Sequence, residues 1–240
     1  MNLNEQNLII KHIVSVCSAK IITMWQNVLE QLPNNIYCFV RRALIFCLPN
    51  KSNLLRWKLV QNDECTACKR KETMLHIFSN CPTYLNRYTW RHDSVLKLIF
   101  GKIARHTSSN VVKVFVDLEI TGYRCTSDLF ESLRPDIAVM IDNKLTVIEL
   151  TVCFDTNTEK SRRYKETKYK ELESQLLVDC QEFEILFVEI TTLGFLSKKS
   201  CKPFCEFLRK LGVNEDRTII KNMETLYSAV VIKNGTILNY

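Results

Sequence analysis

The sequence predicts an α/β fold, a mixed sheet flanked by helices, preceded by an α-helical segment and a small cysteine-rich module. Three observations carry this. A helical apolar period runs through the first sixty residues, a Cys/His cluster sits where that period lapses, and β-rich runs alternate with helical patterns beyond Trp90.

Residues 1–60 read as two or three helices. Ile9, Ile13, Val16 or Cys17, Ile21, Met24 or Trp25, Val28 and Leu32 keep a helical spacing, and Pro33 ends the run. Residues 61–90 then crowd Cys, Lys, Asn and Thr together, a composition suited to a module held by something other than an apolar core. A third region, 91–215, predicts a helix near Asp93 to Arg105 and a strand near Val114 to Ile120. The runs Ile137–Ile141 and Leu145–Phe154 form a hairpin, and a helix from about Asn157 to Asp179 opens on the capping box Thr156-Asn157-Thr158-Glu159. A strand at Glu184–Thr191 and a helix at Ser200–Leu211, stopped by Gly212, complete it. Residues 216–240 form a C-terminal helix and hairpin extension, with Asn234-Gly235 as a type I′ turn signal.

Composition narrows the class. With 240 residues and 46% hydrophobic content the chain can build a packed core. Lys11, His12, Lys20, Gln26, Arg41 and Arg42 interrupt its longest apolar stretches, which excludes a spanning helix and argues against a membrane partner. Met1 to Asn7 lacks the basic start of a secretory signal, and an odd count of 11 cysteines disfavours a closed disulfide framework; both place the protein inside the cell. The net charge of +7 favours an anionic partner without naming one.

Two constellations carry chemistry. Cys65-x2-Cys68-x7-His76-x4-Cys81 offers three thiolates and an imidazole within one loop, the donor set and spacing of a tetrahedral Zn²⁺ site with no open position, hence a structural one. The alternative, cysteines as small buried hydrophobes, fits poorly with Asp63, Glu64, Lys69, Arg70 and Lys71 packed around them. The second constellation is Asp136, in Arg134-Pro135-Asp136, and Glu149, which interrupts an apolar strand. If Asp142-Asn143 is the turn, Asp136 faces Glu149 directly; if the turn is Asn143-Lys144, the two are same-face diagonal neighbours within ~7–8 Å. Such a pair suits Mg²⁺ or Mn²⁺, hard ions that activate water against a phosphodiester, though a strand Glu can also serve only a buried ion pair. A lysine must join from the next helix. Matching ~3.3 Å per strand residue to ~1.5 Å per helical residue ranks Lys168 first, whereas helical phase brings Lys165 closer to the inward face.

Taken together, Leu54-Leu55-Arg56-Trp57, the Cys/His cluster, Arg87-Tyr88-Thr89-Trp90-Arg91-His92-Asp93, Arg134-Pro135-Asp136, Val147-Ile148-Glu149-Leu150-Thr151-Val152 and Lys165-x2-Lys168-Tyr169 resemble the C-terminal region of non-LTR retrotransposon polyproteins that carry a restriction-like endonuclease. The resemblance spans residues 40–215. It implies a restriction-endonuclease-like PD-(D/E)xK core that nicks target DNA so that a reverse transcriptase can prime from the freed 3′ end. Catalytic positions then fall on Asp136, Glu149 and Lys168 or Lys165, with Mg²⁺ or Mn²⁺ on the two acids. Nucleic-acid contacts fall on Arg134, Arg162, Arg163, Tyr169 and Lys170, the partners are target DNA and the element's RNA, and a chromosomal substrate implies nuclear residence. No polymerase Tyr-x-Asp-Asp motif is present, so the chain looks like a fragment or derivative, with a catalytically inactive zinc-stabilised nucleic-acid-binding protein as the alternative.

Overall fold

A computed structural model describes residues 7–106, 112–118, 130, 133–141, 144–179 and 182–212, with side chains of 171–179 left aside. Helices α1 (Leu8–Val16), α2 (Ala19–Glu30), α3 (Asn34–Leu44) and α4 (Lys51–Arg56) come first. The break between α1 and α2 follows from Ser18, whose hydroxyl accepts from the Ile21 amide at 3.3 Å and so caps a new helix instead of continuing the old one. Of the alternatives in the apolar period, Cys17 and Trp25 are the buried ones.

A short π-helical turn (His76–Asn80) and a 3-10 turn (Pro82–Tyr84) lead into α5, Leu85–His106. This helix starts about two turns earlier than the sequence pattern suggests. Its inward face continues the line of Val95, Leu96, Ile99 and Ile103 back through Arg91, which is 2% exposed, so a charged residue occupies a core position and hides the apolar period.

Strands β1 (Val112–Val116), β2 (Ile137–Ile141), β3 (Lys144–Cys153) and β4 (Glu182–Thr191) form one sheet in that order. The first three are antiparallel neighbours, and β4 runs parallel to β3 through the crossover helix α6, Thr158–Asp179. Helix α7 (Lys198–Lys210) follows, capped by Ser197, whose hydroxyl accepts from the Ser200 amide at 3.1 Å. Gly212 stands just past it at φ +90°, the conformation a helix-ending glycine supplies. The expected C-terminal helix and hairpin of residues 216–240 lie outside the described residues.

Alternation along β3 assigns its faces. Leu145 and Val147 join Ala138 and Tyr169 in a small cluster under α6, whereas Ile148 and Leu150 join the larger core shared by α5, α7 and the N-terminal helices. That larger core is continuous from Ile9 to Leu211. Trp25 stacks on Phe195 with ring centroids 4.2 Å apart and donates its indole N–H to the Leu193 carbonyl at 2.7 Å; the Cys17 thiol reaches the Leu196 carbonyl at 3.5 Å. The α-helical lead-in therefore packs against the loop between β4 and α7. Among the described residues no helix is long and apolar enough to cross a membrane.

Candidate metal centre and carboxylate site

Cys65, Cys68, His76 and Cys81 converge, with all four donor atoms within 4.8 Å of one another and Cys68 Sγ 3.2 Å from His76 Nε2. Local backbone builds this convergence. Glu64 and Lys71 bridge as a miniature antiparallel pair, the Cys65 amide donates to the Arg70 carbonyl at 2.7 Å, and Lys69 takes φ 64° to close the turn. Only glycine adopts that conformation without strain, so a lysine there implies that the surrounding loop enforces it. Burial lowers the His76 pKa, which keeps the ring neutral and its lone pair available. For Cys68, the Arg70 amide and guanidinium and the neighbouring cysteines outweigh desolvation and lower the thiol pKa toward the thiolate a zinc ligand requires. Three sulfurs and one nitrogen with no fourth-site vacancy define a closed structural zinc site.

The module is bolted to α5. Tyr88 donates to the Ile77 carbonyl at 2.6 Å and the Cys81 amide donates to its oxygen at 3.3 Å, while Arg91 Nη1 donates to the Phe78 carbonyl at 3.0 Å.

The hairpin register sets the carboxylates. Ile137 pairs with Ile148, the register in which Asp136 faces Glu149; the turn itself, residues 142–143, lies outside the described residues. The Asp136 amide donates to Glu149 Oε1 at 3.2 Å, and Asp136 Oδ2 accepts from the Leu150 amide at 2.7 Å. Glu149 is 1% exposed, and its carboxylate also accepts from the Tyr169 hydroxyl and pairs with the Lys165 ammonium. Burial raises the Glu149 pKa and the Asp136 charge raises it further, against the opposing pull of Lys165 and Tyr169. Two acids thus share one site, an arrangement a divalent cation relieves, and their unoccupied lone pairs are hard oxygen donors that fit Mg²⁺ or Mn²⁺.

Lys165 reaches Glu149, whereas Lys168 lies 5.2 Å from the centre of the Tyr169 ring. Phase decides between them, because Lys165 and Tyr169 are four residues apart on one face of α6. Tyr169 is 1% exposed, so it is not a surface contact for nucleic acid; its role is the hydrogen bond to Glu149. Arg162 likewise turns inward, pairing with Glu189 at 2.7 Å under α6, because β4 places that acid on the same sheet face. Ser200 Oγ donates to the same Glu189 carboxylate at 2.5 Å. Arg163, Lys168 and Lys170 stay exposed on the outer side of α6, and Arg134 is exposed in an ion pair with Asp117 at 2.5 Å.

One residue here was not singled out as a site residue from sequence. His92, on α5, has Nε2 3.5 Å from Asp136 Oδ1 and 3.3 Å from the Leu150 carbonyl, and Nδ1 3.1 Å from Asp93 Oδ1. Burial alone would lower its pKa, yet the two carboxylates outweigh it and push the value up to about 9. Its signal in the sequence was the His-Asp step inside a helical run, which periodicity does not register.

The fold and site thus define an α/β protein with a closed Cys3His metal centre fused to a sheet carrying a buried acid pair. Residues 7–90 match the family described as zinc-binding in reverse transcriptase, so the Cys/His cluster belongs to a reverse-transcriptase-associated zinc-binding domain. No curated protein matches the chain.

Proposed function

We propose that the protein is a metal-dependent DNA endonuclease of the PD-(D/E)xK type, related to the nicking module of non-LTR retrotransposons. The observation that carries this reading is the placement of Asp136 beside Glu149 with the Lys165 ammonium on the same carboxylate. A purely structural ion pair needs one acid and one base, as Arg162 of α6 and Glu189 of β4 supply. Here two acids and two bases gather at one place, Glu149 with Lys165 and Asp136 with His92 3.5 Å away, a concentration of charged groups that a single structural ion pair does not require.

In this reading Asp136 and Glu149 would hold Mg²⁺ or Mn²⁺, which would supply a Lewis acid and lower the pKa of attacking water. Lys165 opposes the burial and the Asp136 charge that raise the Glu149 pKa, and its positive charge would face the phosphorus as the 3′ oxygen departs. Tyr169 fixes the Glu149 carboxylate from the opposite side. Exposed Arg163, Lys168 and Lys170 line the outer side of the same helix as phosphate contacts, and the reverse-transcriptase-associated zinc domain next to the sheet supports a retrotransposon setting. Target DNA and element RNA are the partners, and the nucleus is where they meet.

Nicking of supercoiled plasmid in Mg²⁺ or Mn²⁺ tests this. Wild type should convert it to the open circle, and Asp136→Ala and Glu149→Ala should abolish conversion while retaining the wild-type circular dichroism spectrum. Salt-sensitive DNA binding with no conversion in either ion would instead support the inactive nucleic-acid-binding reading.

A further inference from the structure

We propose that His92 supplies a nitrogen ligand to the cation at Asp136, so that the site selects Mn²⁺ or a similar first-row ion over Mg²⁺. The inference deepens the nuclease reading and rests on it for the presence of a cation at the acid pair.

His92 brings a nitrogen close to two oxygens from the β2–β3 side of the sheet. His92 Nε2, projecting from α5, lies 3.5 Å from Asp136 Oδ1 and 3.3 Å from the Leu150 carbonyl oxygen of β3. Two ligands each about 2.1 Å from one ion are separated by roughly 3.0 Å at a right angle and roughly 3.4 Å at a tetrahedral angle. The observed spacings match that range without rearrangement beyond tenths of an ångström.

The remaining contacts orient these donors. The Leu150 amide donates to Asp136 Oδ2 at 2.7 Å, so one residue pins the carboxylate through its N–H and offers its carbonyl toward the same space. On the far side of the ring, Nδ1 lies 3.1 Å from Asp93 Oδ1. A metal-ligating histidine characteristically gives its second N–H to a carboxylate, which fixes the tautomer and aims the other lone pair at the ion.

Donor type then sets preference. Oxygen-only sites suit Mg²⁺, whereas an imidazole added to carboxylate and carbonyl oxygens favours the later first-row ions.

The test uses the full chain and Mn²⁺ itself, followed by electron paramagnetic resonance of free and bound ion, with Mg²⁺ as competitor. Wild type should bind Mn²⁺ with nitrogen modulation in the pulsed spectrum. His92→Ala should weaken Mn²⁺ binding about 10-fold or more while changing Mg²⁺ binding far less, in a protein whose circular dichroism spectrum shows it folded. His92→Asp, an all-oxygen site, should move preference back toward Mg²⁺. A Mn²⁺ complex lacking nitrogen modulation, or His92→Ala with the wild-type Mn²⁺ to Mg²⁺ ratio, overturns the ligand assignment even if the enzyme nicks DNA. Modulated Mn²⁺ binding in a protein that cuts nothing sustains the ligand assignment and removes the nuclease reading. A wild type that binds neither ion removes both.

Discussion

Lys165 places its ammonium on the buried carboxylate of Glu149 from one helical turn before Tyr169, whose hydroxyl meets the same group. Lys168, closer by chain length, points along the ring of Tyr169 instead. Under the proposed nuclease reading, Lys165→Ala should lower single-turnover nicking by about 10²-fold or more, the scale on which a positioned charge acts at a reacting phosphate. Lys168→Ala should retain the rate within a few-fold. Equal losses in the two variants would dissolve the distinction.

Arg162 and Arg163 are neighbours in sequence with opposite predicted phenotypes. Removing Arg162 leaves Glu189, 3% exposed, with its charge uncompensated, and should cost about 3–5 kcal/mol in denaturant unfolding. Arg163→Ala should leave stability unchanged and, under the proposed nuclease reading, lower the salt dependence of DNA binding by about one phosphate contact.

Asp155 provides a pH signature. It is fully buried and accepts from the Thr192 hydroxyl at 2.6 Å, and burial pushes its pKa up to about 6. Because the unfolded chain ionises first, the folded state loses stability as pH rises from about 4 to about 6, and the penalty is complete above that. Asp155→Asn removes it, so the variant should gain about 3 kcal/mol relative to wild type between pH 4 and pH 7. A variant whose difference from wild type is flat with pH would contradict this assignment.

Zinc removal should propagate along α5. Tyr88 and Arg91 grip the carbonyls of Ile77 and Phe78 at one end, and His92 meets Asp136 one residue later. Chelation, or Cys65→Ser, should release one zinc per chain and lower the thermal midpoint by about 6–12 °C, equivalent to roughly 3 kcal/mol. Amide exchange should quicken first in residues 63–81 and then at the start of α5. Unaltered exchange around Arg91 and His92 would show that the module and the sheet behave independently.

How far the sequence could be read follows from which signals were local. The Cys/His cluster was legible because its ligands lie within one loop, and the shared face of Asp136 and Glu149 was legible because β-strand alternation has a period of two, whereas the choice between the two turn placements needed the observed pairing of Ile137 with Ile148. Helix α6 began within a residue of its expected start for the same local reasons. The early start of α5 was hidden by Arg91 at a core position, and the two readings of the lysine separated only once the face of α6 against β3 was fixed by packing. Arg162 looked like one more member of a basic run, since its partner Glu189 lies on a strand that chain order does not bring near until the parallel crossover is made. His92 belongs to the same class: its partner is 44 positions away in the sequence numbering and on another element.

The seating of Trp25 against Phe195 and Leu193 has a practical corollary for anyone dissecting the molecule. Severing the polypeptide near residue 60 or 90 would bisect a common interior, baring Ile21, Trp25 and Val28 on one piece and Phe195, Leu196 and Phe204 on the other. Each half would then be sticky, so the two are best produced, crystallised and inherited as an inseparable unit.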